Sequence, residues 1–99
     1  MNGSDVKKLV VACDAGMGSS VMLASQLRKE LKKSGVTVEH TPVASIPDDA
    51  DVIVTHAGLV DRARGRAPGK PIVGFNVFIG DPAVKKVVDA IKNGTDFDA

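Results

Sequence analysis

The stretch VVACDAGMGSS, residues 10–20, carries the chain's single cysteine, Cys13, followed by Asp14, Ala15, Gly16, Met17, Gly18, Ser19 and Ser20. A cysteine attacks as its thiolate, and thiolates form where positive charge or unpaired amides face the sulfur. Gly16 and Gly18 let the backbone turn tightly and bring its N–H groups close to a bound atom. Ser19 and Ser20 fall where a helical pattern begins, so their hydroxyls can cap that helix or donate to an anion. A glycine-bearing loop feeding a helix N-terminus gathers amides and the positive end of the helix dipole into an anion cradle. This composition suits a cysteine that accepts a phosphoryl group while the amides of residues 14–20 hold its oxygens. Asp14 reads either as a plain turn residue or as a charge that, beside that group, raises its energy and favours onward transfer.

The ordinary alternative for one free cysteine is an inert core thiol. Two glycines and two serines directly after Cys13 weigh against it. Other candidates are sparser. His56 stands just beyond an apolar run, where it can cap a turn or neighbour the site. His40 is expected to be solvated on an edge strand. Arg62, Arg64 and Arg66 read as a solvated helix face, with Arg62 the one able to reach a phosphate. One cysteine and two distant histidines give no metal pattern, and the chemistry needs no cofactor.

The elements that must position Cys13 follow from apolar spacing. Leu9-Val10-Val11-Ala12, within a strand expected over 7–12, is a continuous run of the kind buried on both faces of a parallel sheet. From Ser19 to about Lys33, Ser20, Ala24, Leu27 and Leu31 recur at helical spacing, and Ser34-Gly35 stops the helix. Further strands are expected over 36–43, 51–55 and 72–75, with an arginine-rich helix from Leu59 to Arg66. Asp81-Pro82 opens a last helix that ends at Asn93-Gly94. Strands alternating with helices predict a three-layer α/β fold with a four-stranded parallel sheet, order 2-1-3-4, flavodoxin-like. Its switch point lies between strands one and three, where ligands bind beyond the strands' carboxyl ends. The residues there are 13–20 and 55–58.

The 99 residues make one domain, with residues 1–5 and 95–99 expected to be flexible. A net charge of +1 and only three aromatic residues offer nucleic acid neither a field nor a stacking platform. No segment reads as a signal peptide or membrane span, and one cysteine suits a reducing compartment, so a cytoplasmic, soluble monomer is expected.

The spacing Cys-x5-Ser-Ser resembles in outline the Cys-x5-Arg-Ser/Thr loop of protein tyrosine phosphatases. Ser19 stands in place of their arginine, so the loop lacks a bidentate clamp and hydrolysis should be slow. A slowly hydrolysed phosphothiol is a carrier. VACDAGMGSS, with DVIVTHAGLVDRA further on, closely resembles the mannitol-type IIB domain of the bacterial sugar phosphotransferase system, over Lys7 to about Phe75. The resemblance implies that Cys13 takes phosphate from a histidine of a IIA protein and passes it to a polyol on a membrane IIC component. It implies a peripheral place at the inner membrane. Met17, Val21 and Met22 would more often be core, but Met17 lies at the loop tip and Ser20, Ala24, Leu27 and Leu31 already fill the inward face, so an exposed rim that docks both partners is expected there. In the family, Thr-His is often followed by a charged pair; Ala57 and Gly58 stand there instead. The rival readings are a low-molecular-weight phosphatase-like hydrolase and a non-catalytic regulatory binding domain.

Overall fold

A computed structural model describes residues 2–13, 18–76 and 81–97, with 18–20 described by their backbone alone. Asp14, Ala15, Gly16 and Met17, four of the seven residues of the expected cradle, lie outside the described residues.

Four strands, β1 (Lys8–Cys13), β2 (Thr37–Pro42), β3 (Val52–His56) and β4 (Ile72–Phe75), form one parallel sheet in the order β2-β1-β3-β4. This is the order expected from the alternation of strand and helix patterns. Three helices complete the fold: α1 (Gly18–Leu31), α2 (Val60–Arg66) and α3 (Pro82–Asn93).

The strands' period of two sorts the core into two layers. Leu9, Val11, Val52, Val54, Val73 and Phe75 pack against Leu23, Ala24, Leu27 and Leu31 of α1 and against Val84, Val87, Val88 and Ile91 of α3. Val10, Ala12, Ile53 and Ile72 face the other way, onto Leu59, Ala63, Val43 of the Val43–Ser45 turn and Ile46 just after it. With apolar layers on both sides, β1 is buried from Leu9 onward, which is why its sequence runs apolar without alternation. The inward face of α1 includes Leu23 as well as the expected Ala24, Leu27 and Leu31.

Local chemistry sets the boundaries. A 3-10 turn at Lys32–Ser34 finishes α1, and Gly35 then takes φ +71°, a left-handed conformation that glycine adopts without Cβ strain. Asp81 caps α3, accepting a hydrogen bond from the Ala83 amide at 2.8 Å, and Pro82 fills the first helical position. At Gly74 a Cβ would lie 2.9 Å from Val60 Cγ2, so only glycine lets α2 sit this close to β4.

Two expectations are corrected. Strand β1 runs one residue past Ala12 to Cys13, which pairs with Pro42, so the thiol belongs to the sheet rather than to the loop. Within the two ends expected to be loose, the described residues 2–5 and 95–97 are packed: the two segments meet each other. Asn2 forms an antiparallel bridge with Asp96, and the Gly3 amide donates to the Thr95 carbonyl at 2.8 Å. Phe97 supplies the reason: its ring is buried in the α1/α3 layer, and that apolar gain outweighs the acidic residues around it.

Candidate functional site

The alternation that points Leu9 and Val11 toward α1 and α3 points Cys13 the same way. In a parallel ladder, paired residues share a face, and the register sets Val11 beside His40 and Cys13 beside Pro42. His40 therefore stands diagonally across from Cys13 on the same face of the sheet, a reach that long side chains close. Its Nε2 lies 3.0 Å from Cys13 Sγ. Cys13 is 3% exposed and His40 half-buried, so the solvated His40 expected from its edge strand is corrected. An edge strand exposes its free hydrogen-bonding edge, but α1 still covers one of its faces. A sulfur and an imidazole nitrogen at this distance form the pair required of a nucleophile and its base.

On the other side of β1, the register pairs Ala12 with Thr55. Thr55 is fully buried on the α2 face, and its hydroxyl donates to the Ala12 carbonyl at 2.9 Å. That bond ties β1 to β3 immediately before Cys13, at the switch point. His56 follows and turns to the Cys13 face. Its Nδ1 accepts from the Gly58 amide at 3.1 Å, and its ring meets Phe75 edge-on with centroids 5.9 Å apart at 88°. His56 is thus the cap of the turn leaving β3, and it shares the Cys13 side of the sheet.

At the exit of β4, Asp81 is buried, with one carboxylate oxygen on the Ala83 amide and the other accepting from the Asn76 amide at 2.8 Å. The opening turn of α1 begins at Gly18, five residues after Cys13. Arg62 is exposed on α2, in the layer that covers the face opposite the Cys13 side chain. Val21 and Met22 are exposed at 50% and 62% in the second turn of α1. With Ser25, Gln26 and Lys29 they line an open depression of about 350 Å³.

The family model described as "PTS system, Lactose/Cellobiose specific IIB subunit" matches residues 8–90. The chain belongs to this IIB family. The match runs past Phe75 through most of α3, further than the sequence resemblance reached. Among curated relatives, the mannitol-specific EIICB component of Halalkalibacterium halodurans is 40% identical over 92 residues, covering 91% of this chain and 20% of its own length. The mannitol-specific cryptic EIICB component of Escherichia coli K12 is 47% identical over 81 residues, covering 80% of this chain and 17% of its own. The mannitol-specific EIICBA component of Vibrio cholerae is 41% identical over 87 residues, covering 86% and 13%. The chain thus spans a fifth or less of the length of these multi-component relatives. A solved flavodoxin-like domain from Synechococcus matches at a TM-score of 0.47 and 18% identity, over 87% of this chain and 74% of that one.

Within this IIB chain, the sequence located Cys13 and the start of α1, which the fold sets in succession at the switch point. It did not locate the contact between Cys13 and His40. The signal for it was present. Val36, Val38 and His40 share one parity, so the parity that buries Val38 in the α1/α3 layer also carries His40 inward. Among the described residues, no helix is long and apolar enough to cross a membrane.

Proposed function

We propose that this IIB chain is a phosphoryl carrier in sugar uptake, a phosphotransferase component whose Cys13 accepts phosphate from a phosphohistidine of a IIA protein. It then passes the group to a polyol held by a membrane IIC component, mannitol if the names of the relatives carry over. The observation that carries the reading is the position of Cys13: the last residue of a central strand, at the switch point, shortly before a helix N-terminus. The free amides of the first turn of α1 stabilise negative charge. In the first transfer the donor's P–N bond breaks and an S–P bond forms. In the second the S–P bond breaks, a sugar hydroxyl oxygen takes the phosphorus and gives its proton to water, and the thiolate returns.

In this reading the amides of Asp14, Ala15, Gly16, Met17, Gly18, Ser19 and Ser20, with the two serine hydroxyls, cradle the phosphate. His56 acts from the turn after β3, on the Cys13 side of the sheet, and Arg62 reaches the site only from the α2 layer. Met17, Val21 and Met22 form the rim on which IIA and IIC dock in turn, because both must reach one sulfur. Two exposed apolar side chains beside a shallow depression support that rim, and flexible methionine suits a surface that meets more than one partner. The chain acts as one domain and a monomer, brought to the inner membrane through IIC.

The test is intact-mass spectrometry after incubation with phosphoenolpyruvate, the general carrier proteins and a cognate IIA. One added phosphate that maps to Cys13, is labile to iodine and is absent from Cys13→Ser is the expected result. No adduct, or rapid hydrolysis of p-nitrophenyl phosphate abolished by Cys13→Ser, overturns the reading.

A further inference from the structure

We infer that His40 is the base and counter-ion of Cys13 and so a catalytic residue of this chain; its part in phosphoryl transfer rests on the carrier reading above, while its pairing with the sulfur does not. The geometry is direct. Nε2 lies 3.0 Å from Sγ, both groups sit on the α1/α3 face, and the ladder between β1 and β2 holds them at a fixed offset. The thiol is buried and the imidazole is half-buried, so water screens the pair less than it would at the surface.

The other ionisable groups around the pair have partners of their own. From β3, His56 shares the Cys13 face, with its Nδ1 on the Gly58 amide at 3.1 Å. From α1, Arg28 sends its Nε to the Val38 carbonyl at 3.0 Å, one pleat before His40. Glu39 points to the opposite face, where it meets Lys8 Nζ at 3.3 Å. The Val43–Ser45 turn carries no ionisable side chain. Among the described residues, no carboxylate is bonded to His40. In the proposed pairing Sγ is the group that faces Nε2 at hydrogen-bond distance, and the thiol proton passes to Nε2, giving a thiolate beside an imidazolium. When Sγ attacks phosphorus, the donor's P–N bond breaks, and its electron pair stays on the donor nitrogen, which takes a proton from water. The imidazolium keeps its own proton and faces the phosphothiol formed at Sγ, offsetting part of its negative charge. In the second transfer it faces the thiolate again as that group leaves.

The experiment compares alkylation of Cys13 by iodoacetamide in the wild-type chain and in His40→Gln, near pH 6 and near pH 9.5. His40→Gln is expected to slow alkylation by about tenfold or more near pH 6, while the two chains react alike at the higher pH, where a thiol ionises unaided. Equal rates at both pH values, or the same ratio at both, would overturn the inference, because a merely structural role does not change with pH. Should His40→Gln lose its fold by circular dichroism, the reciprocal variant decides. In Cys13→Ala, the His40 imidazole followed by NMR is expected to lose its proton at lower pH than in the wild type, and an unmoved titration overturns the pairing. Alkylation involves no phosphate, so its outcome stands apart from that of the carrier reading. If Cys13 carries phosphate and His40→Gln accepts it at the wild-type rate, the inference alone fails.

Discussion

Replacing Asp81 with alanine should be among the most damaging single changes outside the apolar core. The side chain is buried and its two oxygens hold two backbone amides from different elements, Ala83 in the first turn of α3 and Asn76 at the exit of β4. Loss of the helix cap costs about 1 kcal/mol, within a usual range of about 0.5–2. The Asn76 amide, left without its carboxylate, adds about 1–2 kcal/mol. The sum, about 2–3 kcal/mol, corresponds to a fall in Tm of about 8–24 °C for a domain of this size. Thermal and urea melts followed by circular dichroism measure it. Asp81→Ser separates the two bonds, because a serine hydroxyl can cap Ala83 but cannot hold both amides. It should lose about half as much. An Asp81→Ala chain within about 0.5 kcal/mol of wild type would refute the bookkeeping, since surface substitutions commonly fall there. A serine variant as unstable as the alanine variant would refute the division between cap and link.

Phe97→Ala should cost about 3–5 kcal/mol and open the chain ends together, because the ring anchors the Asn2–Asp96 bridge to the core; hydrogen exchange at the Gly3 amide reads the opening. Thr41→Val should leave stability unchanged or raise it by up to about 1 kcal/mol in urea melts, since the Thr41 hydroxyl is buried with no hydrogen-bond partner among the described residues. Lys8 holds the Asp49 carboxyl below its ordinary range, through a hydrogen bond at 2.9 Å. A depressed carboxyl stabilises the fold above its unfolded-state value, and the benefit is lost as pH falls through the folded-state value. Asp49→Asn should therefore shrink the difference in urea midpoint between neutral and acid pH, and an unchanged difference would refute it.

How far the fold could be read depended on how local each signal was. Leu9-Val10-Val11-Ala12 announced a strand buried on two faces, and Asp81-Pro82 and Ser34-Gly35 marked helix boundaries, each within a few residues. The alternation of strands and helices then left few sheet orders, and the one expected, β2-β1-β3-β4, is the one observed. Docking of the termini was not legible, because it joins Asn2 to Asp96 across the whole chain and turns on one aromatic residue in an acidic tail. The contact between Cys13 and His40 needed three facts at once: which strand neighbours β1, in which register, and which parity of β2 faces α1. The sequence carried the first and the third. Register is a tertiary outcome, set by how side chains on both faces fit.

That register also explains why a half-buried histidine belongs on an edge strand in this fold. A residue on β3 level with Cys13 must begin the turn leaving the strand, and His56 is already committed through Nδ1 to the Gly58 amide. A base on α1 would compete with Leu23, Ala24 and Leu27 for the layer that holds the sheet. The β2 edge is different: past Val38 the α1/α3 apolar cluster takes in no further residue of that strand. A polar ring at His40 can there touch the sulfur on one side and approach solvent on the other, without the cost of a fully buried imidazole. Moving the histidine one residue along β2, by exchanging His40 and Thr41, would turn it to the α2 face. With the fold checked by circular dichroism, the swapped chain should lose the pH-dependent reactivity of Cys13, and retention of that reactivity would show that the ladder does not position the pair.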